Sequence, residues 1–294
     1  MPDGSKPAPS SSRLDLNAVW RRAQMLMSEN LQLLIAVAGV FLLLPSALIF
    51  FVLIPPGAEL QGPMDVLTNP DASEELIKKA VEKLMELMTP FMLWSAVLNV
   101  VQHVGYGAMM AVMGRARPTV GEALATGAKA VLPVVLALLL YFSTFFALAI
   151  IISVILSPAG AGAATFIATI LTVLIGMFLV ARLSLTLPAM VLENRLNPIA
   201  AMTRSWRLTG VSSGNVFGFW MLVIVCYFVI GIIVSSVGSL IAAAVESEGV
   251  QALIQGLFSG GFAMAAGIVV SACAVSMFHQ LDGHSASEPA SDSD

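Results

Sequence analysis

The sequence predicts an all-α, polytopic membrane protein, and three observations carry that expectation. Hydrophobic residues make up 58% of the 294 residues and charged residues only 11%, with a mean hydropathy of +0.91; soluble domains carry about 25% charged residues. Six apolar runs alternate with polar connectors, each long enough for a hydrocarbon core that needs about 20 helical residues. Aromatics are sparse at 7%, while 23 glycines and 16 methionines are present. That balance suits close-packed helices better than a barrel with aromatic girdles.

Residues 1–13 are rich in Pro and Ser without an apolar centre, so they read as a disordered tail rather than a signal peptide. Residues 14–280 read as one six-helix membrane domain. Leu16, Val19, Trp20, Ala23 and Met27 share one helical face over Leu14 to Ser28, with Arg21 and Arg22 off that face. This is a first interfacial helix, feeding a span from Leu31 to Ile54 that Pro55-Pro56-Gly57 ends.

The insert at 57–89 holds seven acids against three lysines. Its second half, Ser73 to Met88, has a helical stripe of Ile77, Val81, Leu84 and Met88, and Asp71 and Glu74 are spaced for a capping box. Two readings stand: a lid lying on the bundle, or a helix that docks a membrane or periplasmic protein partner.

Span two, Pro90 to Met113, carries Asn99, Gln102, His103 and Tyr106 on one face. Polar groups at that depth are expected to turn into the bundle. A second interfacial helix starts at Pro118, with Val120, Ala123, Leu124, Gly127 and Val131 as its stripe. Spans three to six are expected near 131–156, 165–192, 215–243 and 252–280. Residues 281–294, rich in Ser and acids, are expected to form a disordered tail.

The densest polar segment is Leu187 to Gly210. Pro188 closes span four, Glu193 and Arg195 lie in a connector, and Pro198 opens a third interfacial helix at a position where a missing N–H costs nothing. Ile199, Met202 and Trp206 share one face, and Arg204 and Arg207 point away from it. Such a helix suits the membrane surface, with Trp at headgroup level and Arg reaching outward. The unit of an interfacial helix followed by two spans is thus written three times, over about 14–113, 118–193 and 198–280. Pro118 and Pro198 lie 80 residues apart.

Orientation follows from the basic residues. Eleven of the 14 lie at the end that holds both termini, and the other three are Lys78, Lys79 and Lys83 in the acidic insert. The positive-inside rule then places both termini in the cytoplasm of a bacterial-type inner membrane.

No reaction is legible. The acids lie outside the spans, and neither a nucleophile–base pair nor a metal-ligand spacing occurs. No cofactor, metal or nucleic acid is expected. Cys226 and Cys273 read as buried thiols. Gly256-x-x-x-Gly260, and Gly231 with Ser235 and Ser239, read as helix-packing stripes. Arg204, Arg207 and Trp206, with Glu193 beside them, could hold anionic lipid headgroups. Arg182 lies eleven residues before Glu193, about 16 Å into a continuous helix. It either snorkels to the interface or meets Asn99, Gln102 and His103 in a positive site suited to an anion.

Three pieces of this region resemble a known family signature: Leu187-Pro-Ala-Met-Val-Leu-Glu193, Asn197-Pro198-Ile-Ala-Ala-Met202, and Arg204-Ser-Trp-Arg-Leu-Thr209. The family is that of the membrane domain of glycerophosphoryl diester phosphodiesterase, a six-span bacterial module. The match is strongest over roughly residues 185–220. In fused members of the family, catalysis belongs to an attached soluble barrel domain, and no such domain is expected here. The resemblance therefore implies a stand-alone membrane module rather than an enzyme. Function is read as an accessory or scaffold module acting through lipid or partner contacts, with transport of a small anionic solute or lipid as the alternative.

Overall fold

The computed structural model describes residues 14–49, 57–69, 71–114, 118–157, 161–210 and 212–287. The breaker at Pro55-Pro56-Gly57, Arg115, Arg117, and the two outermost tails lie wholly or largely outside these residues. The described chain is all-helical. α1 (Leu16–Ala38) continues through a π-helical turn (Gly39–Leu43) into α2 (Leu44–Leu48). There follow α3 (Gly57–Thr68), α4 (Glu74–Gly114), α5 (Val120–Leu156), α6 (Ala161–Leu183), α7 (Thr186–Leu192), α8 (Pro198–Gly210), α9 (Ser213–Ala243) and α10 (Glu248–Ser287).

Six helical segments are long and apolar enough to cross a membrane: Leu16–Leu48, Glu74–Gly114, Val120–Leu156, Phe166–Leu192, Ser213–Ala243 and Glu248–Gly283. Their outward surface is apolar. Leu132, Ile155 and Phe166 are each 68% exposed and Leu240 75%, far more bare hydrocarbon than a soluble monomer presents to water. The chain is a multi-pass membrane protein.

The interfacial helices differ from expectation in a systematic way. The first is the beginning of α1 and the second the beginning of α5, with no break before the span in either case. Thr119 caps α5: its hydroxyl accepts from Glu122 N–H while the Glu122 carboxylate accepts from Thr119 N–H. Only the third, α8, is a helix of its own. The helical part of the insert likewise runs straight into span two as α4, and Pro90 sits inside that helix. Proline is tolerated in membrane helices where neighbouring groups take up the freed backbone. Ser73, not Asp71, caps α4, its hydroxyl accepting from Leu76 N–H at 3.4 Å. The more covered face there runs through Ala80, Leu84 and Leu87, while Ile77 and Val81 are exposed. The C-terminal reading also changes, because α10 continues to Ser287 with Leu281 buried.

Packing divides the chain into two compact units. The first comprises Met1–Leu31, Gly107–Tyr227 and Val269–Asp294. Within it, Met109, Leu185, Met190, Val216 and Met277 are fully buried. α5 packs against α6, α7 and α8. Gly107 of α4 meets Gly127 of α5 backbone to backbone; a Cβ on Gly107 would stand 2.8 Å from Gly127 Cα. Ser276 Oγ donates to the Val19 carbonyl, 2.8 Å, tying α10 to α1.

The second unit comprises Gln32–Tyr106 and Phe228–Ile268. Here Gly256 and Gly260 press on α2 and the π-turn. Cβ atoms at these positions would stand 2.9 Å from the Ala47 carbonyl oxygen and 2.6 Å from that of Leu43. The stripe is a close helix–helix approach, as its spacing suggests.

Candidate functional site

The site is built around a break in span four. Pro188 has no N–H to offer the carbonyl of Ser184, and its ring crowds that carbonyl. The helix accordingly stops at Leu183 and restarts at Thr186, with Leu185 at φ −94°, ψ 8° between them. Arg182 thus belongs to the last turn of α6, just before the break, rather than to an unbroken helix.

The break frees backbone groups, and α8 satisfies them. Ser205 Oγ donates to the Arg182 carbonyl, 2.8 Å, and accepts from Leu185 N–H, 3.1 Å. Thr209 Oγ1 also lies 3.2 Å from the Arg182 carbonyl, its proton shared with the Ser205 carbonyl at 2.8 Å. The face of α8 turned inward is therefore Ala201, Ser205, Leu208 and Thr209, all buried. Ile199 and Trp206, of the stripe assigned to the membrane surface, stay on the outer side of the helix, 64% and 42% exposed. The inward face answers the backbone break, since an unpaired buried carbonyl or amide costs about 1–3 kcal/mol.

The start of α8 is as the sequence suggests. Asn197 Oδ1 accepts from Ala200 N–H, 3.2 Å, and Pro198 occupies the first helical position. Just upstream, Asn194 takes the left-handed conformation, φ 55°, that ends α7.

The charged residues sort into two groups. Arg204 Nε donates to Glu193 Oε1, 2.9 Å, and Arg204 Nη2 pairs with Asp282 near the end of α10. Arg195 pairs with the other oxygen of Glu193. Two carboxylates and two guanidinium groups close this cluster electrically. Arg204 is a tie between the α7–α8 connector and α10, not an outward cation. Arg207 is exposed.

Arg182 is different. Only 7% of it is exposed, and its guanidinium carbon lies 4.2 Å from the centre of the Trp206 indole. Among the described residues no acid pairs with it, and its Nε is buried without a hydrogen-bond partner. Its Nη1 and Nη2 edge faces Gly210, where a Cβ would stand 3.5 and 3.7 Å away. Gly210 itself is exposed. A cation stacked on an indole, with one edge bordered by a glycine, is a place where an anion can approach.

The expected partners of Arg182 in span two fall in the other unit. There the Gln102 amide donates to Ser46 Oγ, 3.0 Å, and His103 Nδ1 lies 2.8 Å from the Asn99 carbonyl of its own helix. Gln102 is turned to a neighbouring helix as expected of an intramembrane amide; Asn99 is exposed and His103 half-buried. Arg182 and Trp206 are brought together, and so are Glu193 and Arg204. Sequence reasoning passed over Ser205, Thr209, Gly210 and Asp282. Ser205 and Thr209, four apart on α8, carried a signal; Asp282 carried none, lying in a stretch of tail-like composition. Among the described residues no group of three or more His, Cys, Asp or Glu could hold a metal.

Comparison with family models, curated proteins and solved structures gives no match.

Proposed function

We propose that this chain is a multi-pass accessory or scaffold module that holds an anionic lipid headgroup at Arg182 and Trp206. The observation that carries the reading is the buried Arg182 guanidinium, which has no carboxylate partner among the described residues. Charge removed from water is costly unless it is paired. The other largely covered arginine, Arg204, has two acids; Arg182 has an indole face and lies against the exposed Gly210. A phosphate is the simplest counter-charge a bilayer can supply, and arginine receives it through two parallel N–H donors. We assign the module no reaction of its own. The resemblance to the membrane domain of glycerophosphoryl diester phosphodiesterase supports this, because in the fused members of that family the chemistry belongs to an attached soluble domain.

The cell context completes the proposal: a bacterial inner membrane, with both termini in the cytoplasm, so that α8 lies at the cytoplasmic leaflet where anionic lipid attracts basic residues. The test is the lipid that remains with the detergent-purified protein. Retention of anionic phospholipid over zwitterionic phospholipid, lost in Arg182→Gln, is the expected result; equal retention of both by the native chain overturns it.

The break between α6 and α7 favours a second reading, transport of a small anionic solute, since carriers place substrate at discontinuous helices. Anion flux into protein-loaded liposomes separates the two readings. A saturable flux sensitive to Arg182→Gln supports transport, and none supports the module.

A further inference from the structure

α4 is 41 residues long, about 60 Å of helix and twice the thickness of a hydrocarbon core. Its first part, Glu74 to Glu86, carries seven charged side chains and belongs in water, while the part from Pro90 onward is apolar. One face runs through both. Val81, Met85, Met92, Ala96, Asn99 and His103 recur along it at helical spacing, and all but the half-buried His103 are exposed. This face is inverted with respect to both solvents. In the aqueous part it is the apolar one, with Met85 59% exposed. In the membrane part it is the one that carries polar groups. Asn99 lies nearly midway between Glu86 and Arg115, the charges that bracket the span. Its side-chain amide makes no hydrogen bond among the described residues. His103 follows one turn on, with Nδ1 2.8 Å from the Asn99 carbonyl. Lipid gives an amide nothing to bond, and water gives methionine nothing to gain. Another protein surface suits both.

We propose that this face of α4 pairs with the same face of a second copy of the chain. Two copies cross the membrane in the same sense, so their α4 helices run parallel about a two-fold axis along the membrane normal. Each residue of the face then meets its own counterpart. A carboxamide suits that symmetry, because it both donates and accepts. Two Asn99 amides satisfy one another, as a single buried asparagine does when it fixes the register of paired helices. The charges agree at the aqueous end. Glu74 and Lys78 lie on this side of α4 one turn apart. Glu74 makes no ion pair among the described residues, and Lys78 makes only a loose one, 3.9 Å, with Glu82. In a parallel pair a side chain packs against the residue one turn earlier on the other helix, so Lys78 of each copy meets Glu74 of the other. The inference does not depend on the lipid at Arg182.

The experiment uses the full chain in liposomes over a range of protein densities, with the exposed Cys226 replaced by serine. In that background Met92→Cys should be joined into a covalent dimer by a short bismaleimide. Val97→Cys, equally exposed but more than a third of a turn around the helix, should not. Single-molecule photobleaching then counts copies. Asn99→Leu should raise the density needed for pairing about fivefold, the worth of an interhelical hydrogen bond or two in lipid. Asn99→Gln should largely keep the pairing. Glu74→Lys and Lys78→Glu should each weaken it, and the two together should restore it. Asn99 is exposed, so leucine there leaves the fold intact. A native chain that counts as one copy at every density overturns the proposal. So does pairing unchanged in Asn99→Leu, or cross-linking as strong from Val97→Cys as from Met92→Cys. Met92→Cys that is joined in cell membranes only to other proteins would give the face to a foreign helix, and that too overturns it.

Discussion

The guanidinium of Arg182 and the indole of Trp206 stand 4.2 Å apart, centre to carbon, across two helices that the sequence separates by a connector. Both side chains are positioned by Ser205, one residue before Trp206, whose hydroxyl binds the Arg182 carbonyl and the Leu185 amide on either side of the break. Backbone repair and cation placement are thus one arrangement. The hydroxyl that closes the break also fixes where α8 presents its tryptophan.

The coupling of this pair is measurable. A double-mutant cycle of Arg182→Leu and Trp206→Leu, followed by thermal unfolding in detergent, should give an interaction energy of about 0.5–2 kcal/mol. Strict additivity would mean that the stacked geometry contributes nothing.

Ser205→Ala should destabilise the protein by about 1–3 kcal/mol, because it orphans the Leu185 amide and removes the closest donor to the Arg182 carbonyl. Thr203→Ala, on the exposed face of the same helix and bonded only to the Ile199 carbonyl of its own turn, should stay within about 0.5 kcal/mol. Comparable losses in the two variants would remove Ser205 from its role.

Arg204 and Arg207 should separate cleanly. Arg204→Gln leaves Glu193 and Asp282 facing one another without their shared cation, so it should lower the melting temperature and leave lipid preference intact. Arg207→Gln should leave melting unchanged and weaken anionic-vesicle binding about fivefold, near 1 kcal/mol for a basic residue at an anionic surface. The reverse pattern would mean that the ion-pair cluster is incidental.

Two glycines offer an opposed pair. Gly107→Ala places a methyl 2.8 Å from Gly127 Cα, backbone that cannot turn aside, and should cost about 1–3 kcal/mol. Gly121→Ala, in a helix with nothing within 4 Å, should stabilise by up to about 1 kcal/mol. Unfolding curves of the two variants shifted in the same direction would contradict the packing described for α4 and α5.

The helices were legible because apolar length is a strong signal, but the interruption of span four was not expected: Pro188 was read as closing the span, whereas the helix breaks between Leu183 and Thr186 ahead of it. The Asn197-Pro198 start of α8 was legible for the same reason: capping chemistry is local. What the sequence could not show was which face of α8 turns inward. Hydrophobic spacing grouped Ile199, Met202 and Trp206 as a membrane-surface face and said nothing of the inward one, where the demand came from two backbone groups freed some twenty residues upstream. The joins at α1, α4 and α5 were also hidden. A polar, amphipathic beginning and an apolar continuation look like two helices in composition, yet nothing in the backbone obliges them to part. Asp282 was read as tail because its neighbours are Gly, Ser and acids, and its pairing with Arg204 is long-range.

The account stands or falls on Arg182 as an anion receiver. The direct measurement is native mass spectrometry of the full chain titrated with phosphatidylglycerol and phosphatidylcholine of identical chains, for the native protein and for Arg182→Gln. We expect the native chain to prefer phosphatidylglycerol by at least about fivefold, and the variant to bind both equally while melting no lower than the native chain. An unchanged preference in Arg182→Gln would contradict it.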